Sequence, residues 1–187
     1  MNFKAVRLFS ICFVVFYTVG FAQTNLNRIK IGKEISMEIP EAFHEATPAE
    51  IIQKNVSART PLAMYTDYNS KVDIVVNETT NTWQGGDLEV IMSLYKASVV
   101  NLFDEIEFIQ EGIQEVAGRQ YIVFEFTSVV SDQNDTFGTG VSIAKYTYIQ
   151  YTLHKNKILL FNFTCPRRVQ NQWQNTAREI MQSVRIK

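Results

Sequence analysis

The residue best suited to covalent chemistry is Cys165, set in FNFTCPRR at 161–168 beside Pro166, Arg167 and Arg168. A thiol next to positive charge can ionise to the nucleophilic thiolate. Nucleophilic cysteine also needs a base, commonly histidine. The chain has two histidines, His44 and His154, each isolated in sequence. The surrounding pattern argues for a different role. In KILLFNFTCP, Leu159, Phe161, Phe163 and Cys165 recur at every second position, so a strand carries all four on one face. Cys165 then continues an aromatic face, where an unpaired cysteine behaves as a small inert hydrophobe. Pro166 ends that strand and leaves the two arginines in a loop. The expectation is a protein that is not an enzyme, with a thiol-dependent enzyme using Cys165 as a competing reading.

Other chemistry finds less support. Two separated histidines, with no H-x-x-x-H or C-x-x-C spacing, give no zinc- or iron-type ligand set. SDQNDTFG offers acids and amides but not the acid spacing and closing glutamate of a calcium loop. It reads as a solvated hairpin loop. WQGGD lacks the long glycine spacing and the Lys-Ser/Thr pair of a phosphate loop. Its glycines turn the chain ahead of a helix. No metal and no cofactor is expected.

One constellation suits binding. The less apolar positions of the late strands hold Tyr121 and Glu125; Tyr146, Tyr148, Gln150 and His154; and Asn162 and Thr164. On one side of a sheet they would make a tyrosine-rich, half-polar surface, and tyrosine gives a contact both area and direction. Tyr121, Glu125, Tyr146, Tyr148 and Gln150 are its partner-binding candidates. In the other reading a helix covers this face and the hydroxyls are satisfied internally. The pattern leaves both open.

The positioning elements follow from periodicity. IKIGKEISMEIP alternates apolar and polar residues from Ile29 to Ile39, with Gly32 as a turn between two short strands. ATPAEII combines Thr47 as N-cap, Pro48 at the first helical position and Glu50 three after the cap, a capping box opening a helix to about Asn55. LAMYTDYNSKVDIVVNET reads as a hairpin. Asp87 caps a long helix whose Leu88, Ile91, Met92, Tyr95, Val99, Leu102 and Phe103 form one stripe. IEFIQEGIQEVAG, RQYIVFEFTSVV, KYTYIQYTLHK and KILLFNFTC then read as strands, with turns at Gly118-Arg119 and Lys155-Asn156. In the last helix, NQWQNTAREIMQSV, Asn171 caps, Gln174 takes the box position, and Trp173, Ala177, Ile180 and Val184 share a face. RIK closes the chain as extended backbone. Consecutive strands joined by hairpin-length turns favour a mostly antiparallel sheet with helices packed on it, an α+β fold.

The N-terminus carries its own pattern. MNFKAVR holds two cations and no acid, LFSICFVVFYTVGF is uncharged and apolar, and GFAQ supplies small residues at Gly20 and Ala22. That is a secretory signal peptide, expected to end at Ala22. The apolar run is shorter than the roughly twenty residues of a spanning helix, so no stable membrane insertion is expected after cleavage. Cys12 lies inside that run and lacks a small residue before it, unlike a lipidation site. Residues 23–187 are then one domain. Losing Lys4 and Arg7 takes the net charge from −1 to −3, which argues against nucleic acid. Of the two cysteines only Cys165 would survive, so no internal disulfide forms and the hydrophobic core must hold the fold.

The order of these elements resembles the PsbP/Mog/DcrB-like superfamily. The resemblance runs over nearly all of residues 23–187 and is carried by ISMEIP, VAGRQYIVFEF, YTYIQYTL, ILLFNF and the terminal IMQSVRIK. It implies an α/β/α sandwich with a mostly antiparallel sheet flanked by helices. It also implies a non-enzymatic accessory or binding role, here in the bacterial cell envelope, periplasmic or secreted, with another envelope protein as partner. A small-ligand carrier with a pocket between sheet and helix is the alternative. No functional residue carries over from the superfamily.

Overall fold

The computed structural model describes residues 24–54, 59–69, 71–79, 82–83, 87–131 and 142–187. Residues 1–22, expected to be a signal peptide, the expected Gly85-Gly86 turn and nearly all of the SDQNDTFGTG loop lie outside the described residues.

Strands β1 (Leu26–Ile31) and β2 (Ile35–Pro40) form the opening hairpin, turned through Gly32 at φ 61°. A short strand β3 (Phe43–Glu45) leads into helix α1 (Pro48–Lys54). The capping box is present: Thr47 N donates to Glu50 Oε2 at 2.8 Å, and Glu50 N donates to Thr47 Oγ1 at 3.3 Å. Strands β4 (Ala63–Asp67) and β5 (Asp73–Glu78) pair as a hairpin. Helix α2 (Leu88–Val100) starts at Asp87, whose carboxylate accepts from Glu89 N at 2.9 Å. Then come β6 (Glu105–Val116), β7 (Arg119–Ser131), β8 (Ser142–His154) and β9 (Lys157–Pro166). Helix α3 (Gln170–Gln182) and a short β10 (Arg185–Ile186) close the chain. Both tight turns use two left-handed residues, Ala117-Gly118 and Lys155-Asn156, which match the twist of the strands they join.

Seven strands make the main sheet, in the order β3-β4-β5-β9-β8-β7-β6, and β1-β2-β10 make a second, smaller sheet. Every ladder among the described residues is antiparallel. One face of the main sheet packs on α3 and the small sheet, joining Ile74, Phe161, Phe163, Met37, Ile180 and Val184 in one core. The opposite face packs on α2 through Ile91, Val99, Ile122, Phe124, Phe126 and Ile158. Helices thus flank a mostly antiparallel sheet, the expected α+β architecture.

Three local expectations differ from what is observed. The α2 stripe stops short of its sequence pattern, because the helix ends at Val100 and leaves Leu102 69% exposed. Helix α3 starts at Gln170, straight from a 3-10 turn at Arg167–Val169, so Asn171 does not cap it and Gln174 points elsewhere. The turn before β7 is Ala117-Gly118, one position earlier than the expected Gly118-Arg119, which places Arg119 inside the strand.

Ile180 and Leu102 both belong to apolar stripes, yet only Ile180 is buried. Ile180→Ala should lower unfolding stability by about 2–5 kcal/mol, and Leu102→Ala by about 0.5 kcal/mol or less, read from urea midpoints.

Candidate functional site

Cys165 is fully buried on the α3 side of the sheet. Burial pushes its thiol pKa up to about 12, away from the thiolate. Neither histidine serves it. Cys165 faces Tyr146 across the ladder, whereas His154 faces Lys157, eight residues farther along β8, or roughly 26 Å at a strand's rise. His154 Nε2 instead meets Glu34 Oε2 at 2.9 Å, and Lys155 pairs with the same carboxylate. Those two hydrogen bonds, Lys155 first, pull the Glu34 carboxyl down to about 2. His44 lies in β3 on the sheet's other face, with Nε2 3.3 Å from Glu50 Oε1. Among the described residues no group of three or more His, Cys, Asp or Glu is placed to hold a metal ion.

The tyrosine constellation is interior. Tyr121, Glu125, Tyr146, Tyr148 and Gln150 are each at most 2% exposed, so with α3 seated they offer no surface to a partner. The expected contact face is the interface between the sheet and α3. Glu125 is its centre. Its Oε1 accepts from Tyr146 Oη at 3.0 Å, Gln174 Nε2 at 2.7 Å and Arg178 Nη2 at 2.9 Å, and its Oε2 from Arg178 Nε at 3.0 Å. The hydrogen bonds to Glu125 hold the Arg178 guanidinium above its ordinary pKa. Burial, aided by the Glu125 charge, raises the Tyr146 hydroxyl well above its usual value. Burial likewise pushes Tyr121 and Tyr148 up to about 12. Gln150 Nε2 donates to Met181 O at 3.1 Å, tying the sheet to the last turn of α3.

Asn162 and Thr164 do not belong to this face. The register sets Tyr146 opposite Cys165, Tyr148 opposite Phe163, and Gln150 opposite Phe161. The tyrosines therefore share a side with the aromatic row of β9. Asn162 and Thr164 point the other way with Ile149 and Thr147, and there they line an open site that the sequence did not reveal.

That site is a groove of about 510 Å³ over the middle of the sheet, between α1 and α2. Its floor is three cross-strand rows: Asn77, Leu160 and Tyr151; Val75, Asn162 and Ile149; Asp73, Thr164 and Thr147. One wall comes from Val99, Leu102 and Phe103 at the end of α2, with Phe126 beneath them. The other wall holds Lys54, whose Nζ meets Asp73 Oδ1 at 2.5 Å and Thr66 Oγ1 at 2.8 Å. Lys145 closes one end. The groove exists because α1 is two turns long and α2 reaches β8 and β9 only at one end, stacking Tyr95 on Tyr151 and packing on Ile158, so the stretch from Val75 across Asn162 to Ile149 is only partly covered. The sequence signal was present in the half-polar alternation of Val75, Asn77, Leu160 and Asn162, and became legible only with register.

Neither the protein-family models nor the curated proteins compared give a match. Solved structures do. The solution structure of cyanobacterial PsbP (CyanoP) from Synechocystis superposes with a TM-score of 0.60 at 12% identity, over 94% of this chain and 99% of that one. The Ran-binding protein Mog1p of Saccharomyces cerevisiae gives 0.58 at 10% identity, over 88% and 96%. LpqN of Mycobacterium tuberculosis, involved in cell envelope biogenesis, gives 0.57 at 10%, over 87% and 91%. The chain has the PsbP/Mog fold. At such identities the likeness speaks for the fold and leaves function to the site.

In this PsbP/Mog fold the Glu125 cluster is an asymmetric lock. Arg178 is 42% exposed and can turn to water, while Glu125 is fully buried and cannot. Arg178→Ala strands the carboxylate and should destabilise the protein by about 3 kcal/mol. Glu125→Gln, which strands no charge, should cost about 1 kcal/mol. Urea unfolding of the two variants side by side reads the difference.

Proposed function

We propose that this chain is a non-enzymatic accessory protein of the bacterial cell envelope, exported through residues 1–22, and that it works by binding in the groove between α1 and α2. The observation that carries the reading is the groove itself. It lies over the centre of the sheet, has an apolar α2 wall above a mixed floor in which Val75, Ile149, Tyr151 and Leu160 alternate with asparagine, threonine and Asp73, and its volume falls within the roughly 300–1,000 Å³ of small-molecule sites. The thiol supports the same reading from the other side, being buried and remote from either imidazole. The names of two fold neighbours agree: one binds Ran, and one is involved in cell envelope biogenesis. The expected partner is another envelope component. Among the described residues no helix is long and apolar enough to cross a membrane. The volume also favours the small-ligand carrier as a second form of this reading.

The test is fractionation combined with site-specific photo-crosslinking in cells. The mature chain should begin at Gln23 and leave with the periplasmic fraction or the medium. A photo-reactive residue at Ile149 should give discrete adducts that one at Lys30, on β1, does not. A full-length cytoplasmic product, or the same adducts from both positions, would reject the proposal.

A further inference from the structure

We infer that the groove takes a single-chain amphiphile with one anionic head group. The inference rests on the binding reading above and names its ligand chemistry. Along β8 the residues on this face run Tyr151, Ile149, Thr147, Lys145. The floor therefore grades from apolar to hydroxyl to cation over about 20 Å. Such a gradient matches a chain lying along the strand with its head at Lys145.

Charge selects the head group. Lys54 is already neutralised by Asp73 and tied to Thr66. Lys145 is exposed and has no ion pair or hydrogen bond among the described residues. The groove thus offers one uncompensated positive charge. Asn162 lies opposite Ile149, four positions from Lys145 along β8 or roughly 13 Å, so the head-group end is marked by Lys145, with Thr147 and Thr164 as the nearest polar row. A polyanion would meet the Asp73 carboxylate in the same wall. An uncharged chain would leave Lys145 unused.

The fold also argues against an added peptide strand. β5, β9 and β8 are interior strands, and their neighbours already take their backbone groups. An occupant must bind through side chains, and most of those at the α2 side are apolar.

Calorimetric titration of the purified protein, below micelle concentrations, tests this with laurate, lauroyl lysophosphatidylglycerol and lauryl alcohol. Either anionic probe should bind about tenfold or more tighter than the alcohol. A tighter lysolipid than laurate identifies a lipid headgroup as the source, and equal affinity a free fatty acid. Lys145→Gln should erase the preference while leaving the alcohol unchanged, and Lys145→Glu should reverse it. Val75→Trp, which fills the floor, should abolish binding of all three. No binding by the wild-type protein, equal affinity for laurate and alcohol, or an undiminished preference in Lys145→Gln would each overturn the inference. If photo-crosslinking through Ile149 still succeeds in that case, the binding reading stands and only the ligand class falls.

Discussion

The structure depends on one buried carboxylate. Glu125 sits in β7, beside the edge strand β6, with no exposure to water, and an ion removed from water costs several kcal/mol unless it is paired and hydrogen-bonded. Tyr146 from the neighbouring strand supplies one donor, while Gln174 and Arg178 supply three more from α3. Because most of the compensation comes from the helix, Glu125 is well satisfied only when α3 is seated. The apolar stripe of α3 attracts the helix to the sheet without fixing its position along it. The four hydrogen bonds fix that position.

Several features follow from a fixed α3. Its end delivers Arg185 and Ile186 against β2, so the small sheet gains its third strand. That sheet and α3 together close one face, and Cys165 becomes filler within the core. The other face has no comparable lock. There α1 is held by Lys54 at its last turn, α2 packs on β6, β7 and one end of β8 and β9, and the middle of β5, β9 and β8 stays partly open between them. The groove's chemistry, apolar at one end and cationic at the other, comes from alternate residues of strands whose opposite positions build the core.

Much of the fold was legible because its signals are local. The Thr47–Glu50 box, the Asp87 cap, the Lys155-Asn156 turn and the aromatic alternation of β9 each name their element from a few neighbouring residues. The burial of Cys165 followed from that alternation. Face assignment across strands was not local. Reading Tyr146 and Tyr148 with Asn162 and Thr164 assumed a register one residue away from the real one, and a one-residue slip moves every side chain to the other face. The same error hid the groove, whose floor joins residues as far apart in sequence as Asp73 and Thr164, ninety-one positions. Gln174 fits a local capping position in sequence, yet its partner, Glu125, lies forty-nine positions away.

The central claim is that the main sheet is sealed on one face and open on the other. Paired methyl groups of adjacent residues report on it directly. Val76 and Leu159 face α3 and the small sheet, while Val75 and Leu160 face the groove. With a soluble paramagnetic agent in the NMR sample, the Val75 and Leu160 methyl signals should broaden strongly and those of Val76 and Leu159 should not. Equal protection of all four would mean the groove is closed in solution and would contradict the account.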